Sequence, residues 1–176
     1  MYPAPGSPTA RLNPATGTWS LARPTSAGFE VGNFGVKRVR GAVPIISTRV
    51  EVAPDASIHS VDATLDLAAV DTGNTKRDSD LRKPSLLDLD RHPHLTFTSS
   101  RVTPYEGRWV VVGLLTVKGA TREVSLEGTV ERLPEGAVRV RLAGRLDRRD
   151  YAITAPRFLI GSMVDVDIDV TLVPPQ

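Results

Sequence analysis

Residues 164–172 alternate without a break. Val164, Val166, Ile168, Val170 and Leu172 are apolar, and Asp165, Asp167, Asp169 and Thr171 stand between them. A period of two puts one row on each face of a β-strand, one buried and one wet. A helix would scatter the same apolar residues around its whole circumference. This strand needs a sheet to bury its inner row, and the preceding sequence offers one. Val124, Leu126, Gly128 and Val130 alternate with Glu123, Ser125, Glu127, Thr129 and Glu131. After residues 133–137 the pattern resumes, with Val138, Val140, Leu142, Gly144 and Leu146 against Arg139, Arg141, Ala143 and Arg145. Pro134 and Gly136 supply turn chemistry. A turn centred on Glu135 predicts the register: Glu131 beside Arg139 outside, Val130 beside Val140 inside, Gly128 beside Leu142 and Leu126 beside Gly144. A slip of one residue would turn the apolar row to water, so the register is strongly specified. If the last strand pairs next, the arginine row lies between a glutamate row and an aspartate row.

Further strands are expected at 18–22, 26–33, 39–52, 58–70, 95–102 and 108–118. In the 58–70 strand, Val61, Ala63, Leu65, Leu67 and Ala69 form the expected inner row. Residues 110–115, Val-Val-Val-Gly-Leu-Leu, are apolar on both faces, which predicts a strand covered outside as well as inside. The charged stretch 74–83 suits one short amphipathic helix or loop, capped by Asn74 or Asp78, and Pro84 restarts the chain rather than continuing the helix. The fold class is therefore all-β. Eight or nine short antiparallel strands build a sandwich or a closed barrel, and the scarcity of edge-blocking residues favours closure.

Residues 1–14 hold four prolines and read as a flexible leader, with the domain at 15–174. The N-terminus lacks a basic segment followed by an apolar one, which points to the cytoplasm, and no apolar run is long enough to span a membrane. The 176 residues carry a net charge of +2 and no cysteine. That excludes disulfides and thiol chemistry and gives no electrostatic argument for nucleic acid. There is no G-x-S-x-G, G-x-G-x-x-G or P-loop. His92-Pro93-His94 has no third ligand at suitable spacing, so no metal is expected, and no cofactor. His59 has no evident catalytic partner. Trp19 and Trp109 read as barrel-end plugs or core.

Several segments carry a resemblance that runs from Trp19 to Val173. They are Ser26 with Phe29-Glu30-Val31, residues 36–41 (Val-Lys-Arg-Val-Arg-Gly), residues 70–74 (Val-Asp-Thr-Gly-Asn) with Arg77-Asp78, and Pro93 with Leu95-Thr96-Phe97 and Ser99. The most specific is residues 113–124, Gly-Leu-Leu-Thr-Val-Lys-Gly-Ala-Thr-Arg-Glu-Val, and Arg149-Asp150-Tyr151 and Ile160-Gly161 complete the set. In order and spacing these resemble the YceI-like family of lipocalin-like barrels associated with polyisoprenoid binding. The chain departs from that family's usual pattern at Thr25, Asn33, Asp80-Leu81 and Leu86-Leu87.

The resemblance implies an eight-stranded antiparallel lipocalin-like barrel with one short helical insert. It also implies a non-catalytic protein that transports or sequesters an apolar isoprenoid lipid, a quinone or polyprenyl compound. Such a barrel is just wide enough to be filled by side chains or to hold one small ligand, and aliphatic walls suit an isoprenoid chain. Gly113, Gly128 and Gly144 lie on or near inward rows, where they either leave room or relieve strain in a coiled strand. The expected walls are Phe29, Val31, Phe97, Val111, Leu115, Leu126, Val140, Leu142, Val164, Val166 and Ile168. Asn33, Phe34, Leu86 and Leu87 are expected near the opening, and Arg77, Asp78 and Asp80 are candidate head-group contacts. Two other readings stay open: an enzyme using inward polar groups such as Asn33 or Asp80, and a ligand-free interaction protein that self-associates through its β-surface as a homodimer.

Overall fold

The computed structural model describes residues 16–33, 38–55, 57–154 and 160–176. The expected leader and Phe34 lie outside them, as does the side chain of Asn33. Nine strands are laid down in chain order: β1 (Gly17–Asn33), β2 (Arg38–Ala42), β3 (Ile45–Val52), β4 (Ile58–Asp66), β5 (His94–Tyr105), β6 (Arg108–Val117), β7 (Ala120–Arg132), β8 (Val138–Asp147) and β9 (Ile160–Val173). Among the described residues one α-helix, α1 (Thr75–Leu81), interrupts them. Strands β3 to β9 pair as consecutive antiparallel neighbours, and β9 pairs back onto β1, which closes the barrel. On its other edge β1 pairs with β3 through residues 17–20 and with β2 through residues 28–32. Strands β2 and β3 are thus two halves of one barrel strand, giving eight staves in all.

The sequence reads 39–52 as one strand, and the structure divides it at Val43-Pro44. Pro44 has no N–H to give to a ladder. Its carbonyl still accepts from Asp66 N, and Val43 N bonds Ala27 O. The reverse holds for 18–22 and 26–33, which fuse into β1. Residues 23–25 stand opposite the single residue Val170 of β9, between the pairs Ala22–Thr171 and Ser26–Asp169. Such a bulge admits Pro24 within a paired strand. The expected strand 58–70 ends at Asp66, where residues 67–69 form a 3-10 turn. The period changes there from two to three. Leu67 and Val70 are buried, and Ala69, expected inside, is exposed.

The hairpin of β7 and β8 has the expected register, with Glu131 opposite Arg139, Val130 opposite Val140 and Gly128 opposite Leu142. Glu135 and Gly136 turn the chain with φ of 65° and 82°. Strands β6 and β7 are joined by two residues, Lys118 and Gly119, both at positive φ, the geometry that matches strand twist in a tight hairpin. The outer face of β6 is not covered as expected: Leu114 is 46% exposed, and Val110 and Val112 are half-buried.

On the outer surface, Arg139 makes two bonds to the Asp169 carboxylate, at 2.8 and 2.7 Å, and Arg145 bonds Asp165 at 2.8 Å. These bonds hold both carboxyls below their usual range. Asp147, bonded by the Arg149 side chain and backbone, is lowered to about 2. A carboxylate depressed in the folded state contributes stability above its unfolded pKa, and that contribution is lost as pH falls through the folded value. The melting temperature should therefore stay level down to the ordinary carboxylate value of 3.8 and drop below it, with the Asp147 share lost as pH approaches about 2. Asp169→Asn should start from a lower melting temperature and show a shallower drop. Parallel curves for the variant and the wild type, measured by calorimetry across that range, would contradict this.

Candidate functional site

Two apolar clusters close the barrel interior. At the end where β1 begins and β9 finishes, Trp19 is fully buried among Val50, Val52, Val138, Val170 and Leu172. Toward the other end, Leu67, Val70, Leu87, Leu89 and Tyr151 belong to the larger cluster. Leu87 and Leu89 come from the segment after α1, which carries these two buried leucines onto the barrel. Between the closures lies a cavity of about 150 Å³. Its wall is mostly hydrocarbon and draws on all eight staves.

Of the expected wall residues, Phe29, Phe97, Val111, Leu115, Leu126, Val140, Leu142, Val166 and Ile168 line this cavity. Val31 and Val164 do not. They pair with each other two residues beyond Phe29–Val166, toward the Asn33 end of β1. Leu86 is half-buried and Leu87 is buried in the core cluster, and neither borders the cavity. The lining also takes in residues that the sequence reading did not name as wall, among them Val50, Val61, Ala63, Leu65, Trp109 and Val124. Val61, Ala63 and Leu65 were legible as an inner row. Trp109 gives no sequence signal separating wall from plug.

Arg77, Asp78 and Asp80 are not brought to the cavity. Asn74 caps α1 by accepting from Arg77 N. Asp78 accepts from both Thr72 N and Thr72 Oγ1, and Arg77 donates to Thr72 Oγ1 and to the Thr72 carbonyl. The two side chains clamp the helix to Thr72, next to the bridge between Asp71 and Ala42. Asp80 pairs with Lys83 at 3.0 Å.

The inward glycines do not leave empty space of their own. A Cβ on Gly113 would meet the Phe97 ring and the Thr98 carbonyl, and one on Gly144 would meet Leu126 and the Ser125 carbonyl. One on Gly128 would run into the backbone of Arg141. Neighbouring strands lay their larger groups over these positions, which is how a tightly coiled sheet is packed. Gly41 is different, because the nearest atoms to its Cβ position all belong to the half-buried Phe29 ring. Phe29 can lie back against the wall because Gly41 has no side chain. A methyl group at 41 must push the ring off the wall. Gly41→Ala should shrink the cavity and lower affinity for a long apolar ligand roughly fivefold, about 1 kcal/mol. Gly41→Ala combined with Phe29→Leu should recover it. Titration of both variants checks this, and an unchanged affinity in the single variant contradicts it.

The chain has an unambiguous set of relatives. A model of the YceI-like domain matches residues 19–172. A UPF0312 protein of Serratia proteamaculans is 30% identical over 105 residues, covering 57% of this chain and 55% of the relative. Protein YceI of Escherichia coli is 37% identical over 67 residues, 38% of this chain and 35% of the relative. The chain thus spans about a third to a half of the length of these curated relatives. Among solved structures, BcnA of Burkholderia cenocepacia superposes with a TM-score of 0.76 at 20% identity, covering 84% of this chain and 95% of that one. A polyisoprenoid binding domain from Saccharophagus degradans gives 0.64 at 17% identity, covering 91% and 99%. At those identities the two structures speak to the fold. Among the described residues, no helix is long and apolar enough to cross a membrane.

Proposed function

The chain belongs to the YceI-like family, and from that premise we propose that it binds a long apolar isoprenoid-type lipid, a quinone or polyprenyl compound, inside its barrel and carries or sequesters it unchanged. The observation that carries this reading is the cavity between the Trp19 closure and the Leu67–Leu89 closure, walled by aliphatic and aromatic side chains. Burying hydrocarbon there contributes about 0.8 kcal/mol per CH₂ and demands no directional partner. The Saccharophagus degradans neighbour, described as a polyisoprenoid binding domain, supports the same ligand class.

A cavity of about 150 Å³ compares with the roughly 300–1,000 Å³ of sites that enclose a drug-sized ligand. In this reading the lumen seats one segment of the isoprenoid, and the Phe29 ring laid back over Gly41 keeps that seat open. No acid–base pair lines the cavity among the described residues, which supports binding over catalysis. The test is native mass spectrometry and organic extraction of the protein purified from its own source. One co-purifying isoprenoid lipid per chain is the expected result. A chain that arrives empty and takes up no added quinone contradicts the reading.

A further inference from the structure

Among the described residues, the cavity wall is hydrocarbon except at three. One, Asp167, belongs to the outward row of β9, with its carboxylate 3.7 Å from Arg40. The other two are Thr48 and Trp109, and both border the cavity with polar atoms that have no hydrogen-bond partner: Thr48 Oγ1 and Trp109 Nε1. Trp109 is only 3% exposed. It is the second residue of β6, beside the 106–107 turn, at the barrel end that Trp19 closes. Native proteins rarely bury an N–H without an acceptor, because the group gives up its water for nothing.

We propose that the ligand's oxygen acceptor, a ketone or quinone carbonyl on the isoprenoid, is carried inside the barrel and accepts from Trp109 Nε1–H, while Thr48 Oγ1–H offers a second donor farther along the wall. This rests on the isoprenoid reading above and narrows it to a carbonyl-bearing lipid. The carbonyl replaces bonds that it loses on leaving water, and the indole gains its missing acceptor. A plain hydrocarbon of equal length satisfies neither.

The experiment uses the full chain labelled with ¹⁵N and with ¹³C methyl groups. It is titrated with farnesylacetone and, separately, with the analogue of the same carbon skeleton lacking the carbonyl oxygen. Both ligands should move the methyl resonances of the cavity wall. The ketone alone should move the Trp109 indole N–H downfield, a resonance identified by its loss in Trp109→Phe. The ketone should bind roughly fivefold to tenfold more tightly than the hydrocarbon, and that ratio should fall toward one in Trp109→Phe. Equal affinities with an unmoved indole resonance would overturn the carbonyl assignment and leave the lipid reading standing. Methyl resonances unmoved by either ligand would overturn both. The affinity comparison needs the wild-type chain alone, so it decides the matter even if the variant fails to fold.

Discussion

Ala63→Phe should lose isoprenoid binding while keeping its fold. Ala63 lines the cavity from β4, paired with Thr48 on one side and Phe97 on the other. A phenyl group there points into the space a ligand would take and fills much of about 150 Å³. Excluding two to three CH₂ groups of the ligand costs about 2 kcal/mol, roughly thirtyfold in affinity. Because the ring enters a void rather than a packed core, the melting temperature should hold or rise. Ligand titration alongside calorimetry separates the two effects. A folded variant with undiminished affinity would place the binding site elsewhere.

Trp19→Ala should be among the most destabilising single changes in the chain. The ring is completely buried, opposite Val50 in the β1–β3 ladder and packed among Val52, Val138, Val170 and Leu172. Removing a buried aromatic of this kind costs about 3–5 kcal/mol, a large part of the roughly 5–15 kcal/mol that holds a domain together. It would also open the cavity to water from that end. The urea midpoint measures the loss, and a cost below about 1 kcal/mol would mean that Trp19 does not close the barrel.

The sequence made the closed barrel and its inner rows legible wherever alternation ran unbroken. Residues 124–146 and 164–172 needed only their period and a turn at Glu135 to fix which residues face each other. Local interruptions were harder to read. Pro44 sits within an otherwise strand-like run and divides it, whereas Pro24 sits in a bulge and does not. Whether a proline breaks or bends a strand depends on what lies opposite, and that is a tertiary fact. The 3-10 turn at 67–69 changes the period within three residues, too few for a pattern to register.

The cavity was the least legible feature. An inward glycine signals room, yet Gly113 and Gly144 are covered by Phe97 and Leu126 from adjacent strands. The void is the space left after all eight staves have placed their side chains, so no single row encodes it. The charged residues 77, 78 and 80 attract notice as a motif, but hydrogen bonds to Thr72 and a pair with Lys83 occupy them locally.

In the proposed mode of binding the lumen, not the outer β-surface, receives the ligand. Intermolecular nuclear Overhauser effects between a bound isoprenoid ketone and the ¹³C-labelled methyl groups test it most directly. Contacts to Leu115, Leu126, Leu142 and Val166 on the inner rows are the predicted result. Contacts confined to Ile46, Leu114 and Met163, methyl-bearing side chains exposed outside, would contradict it.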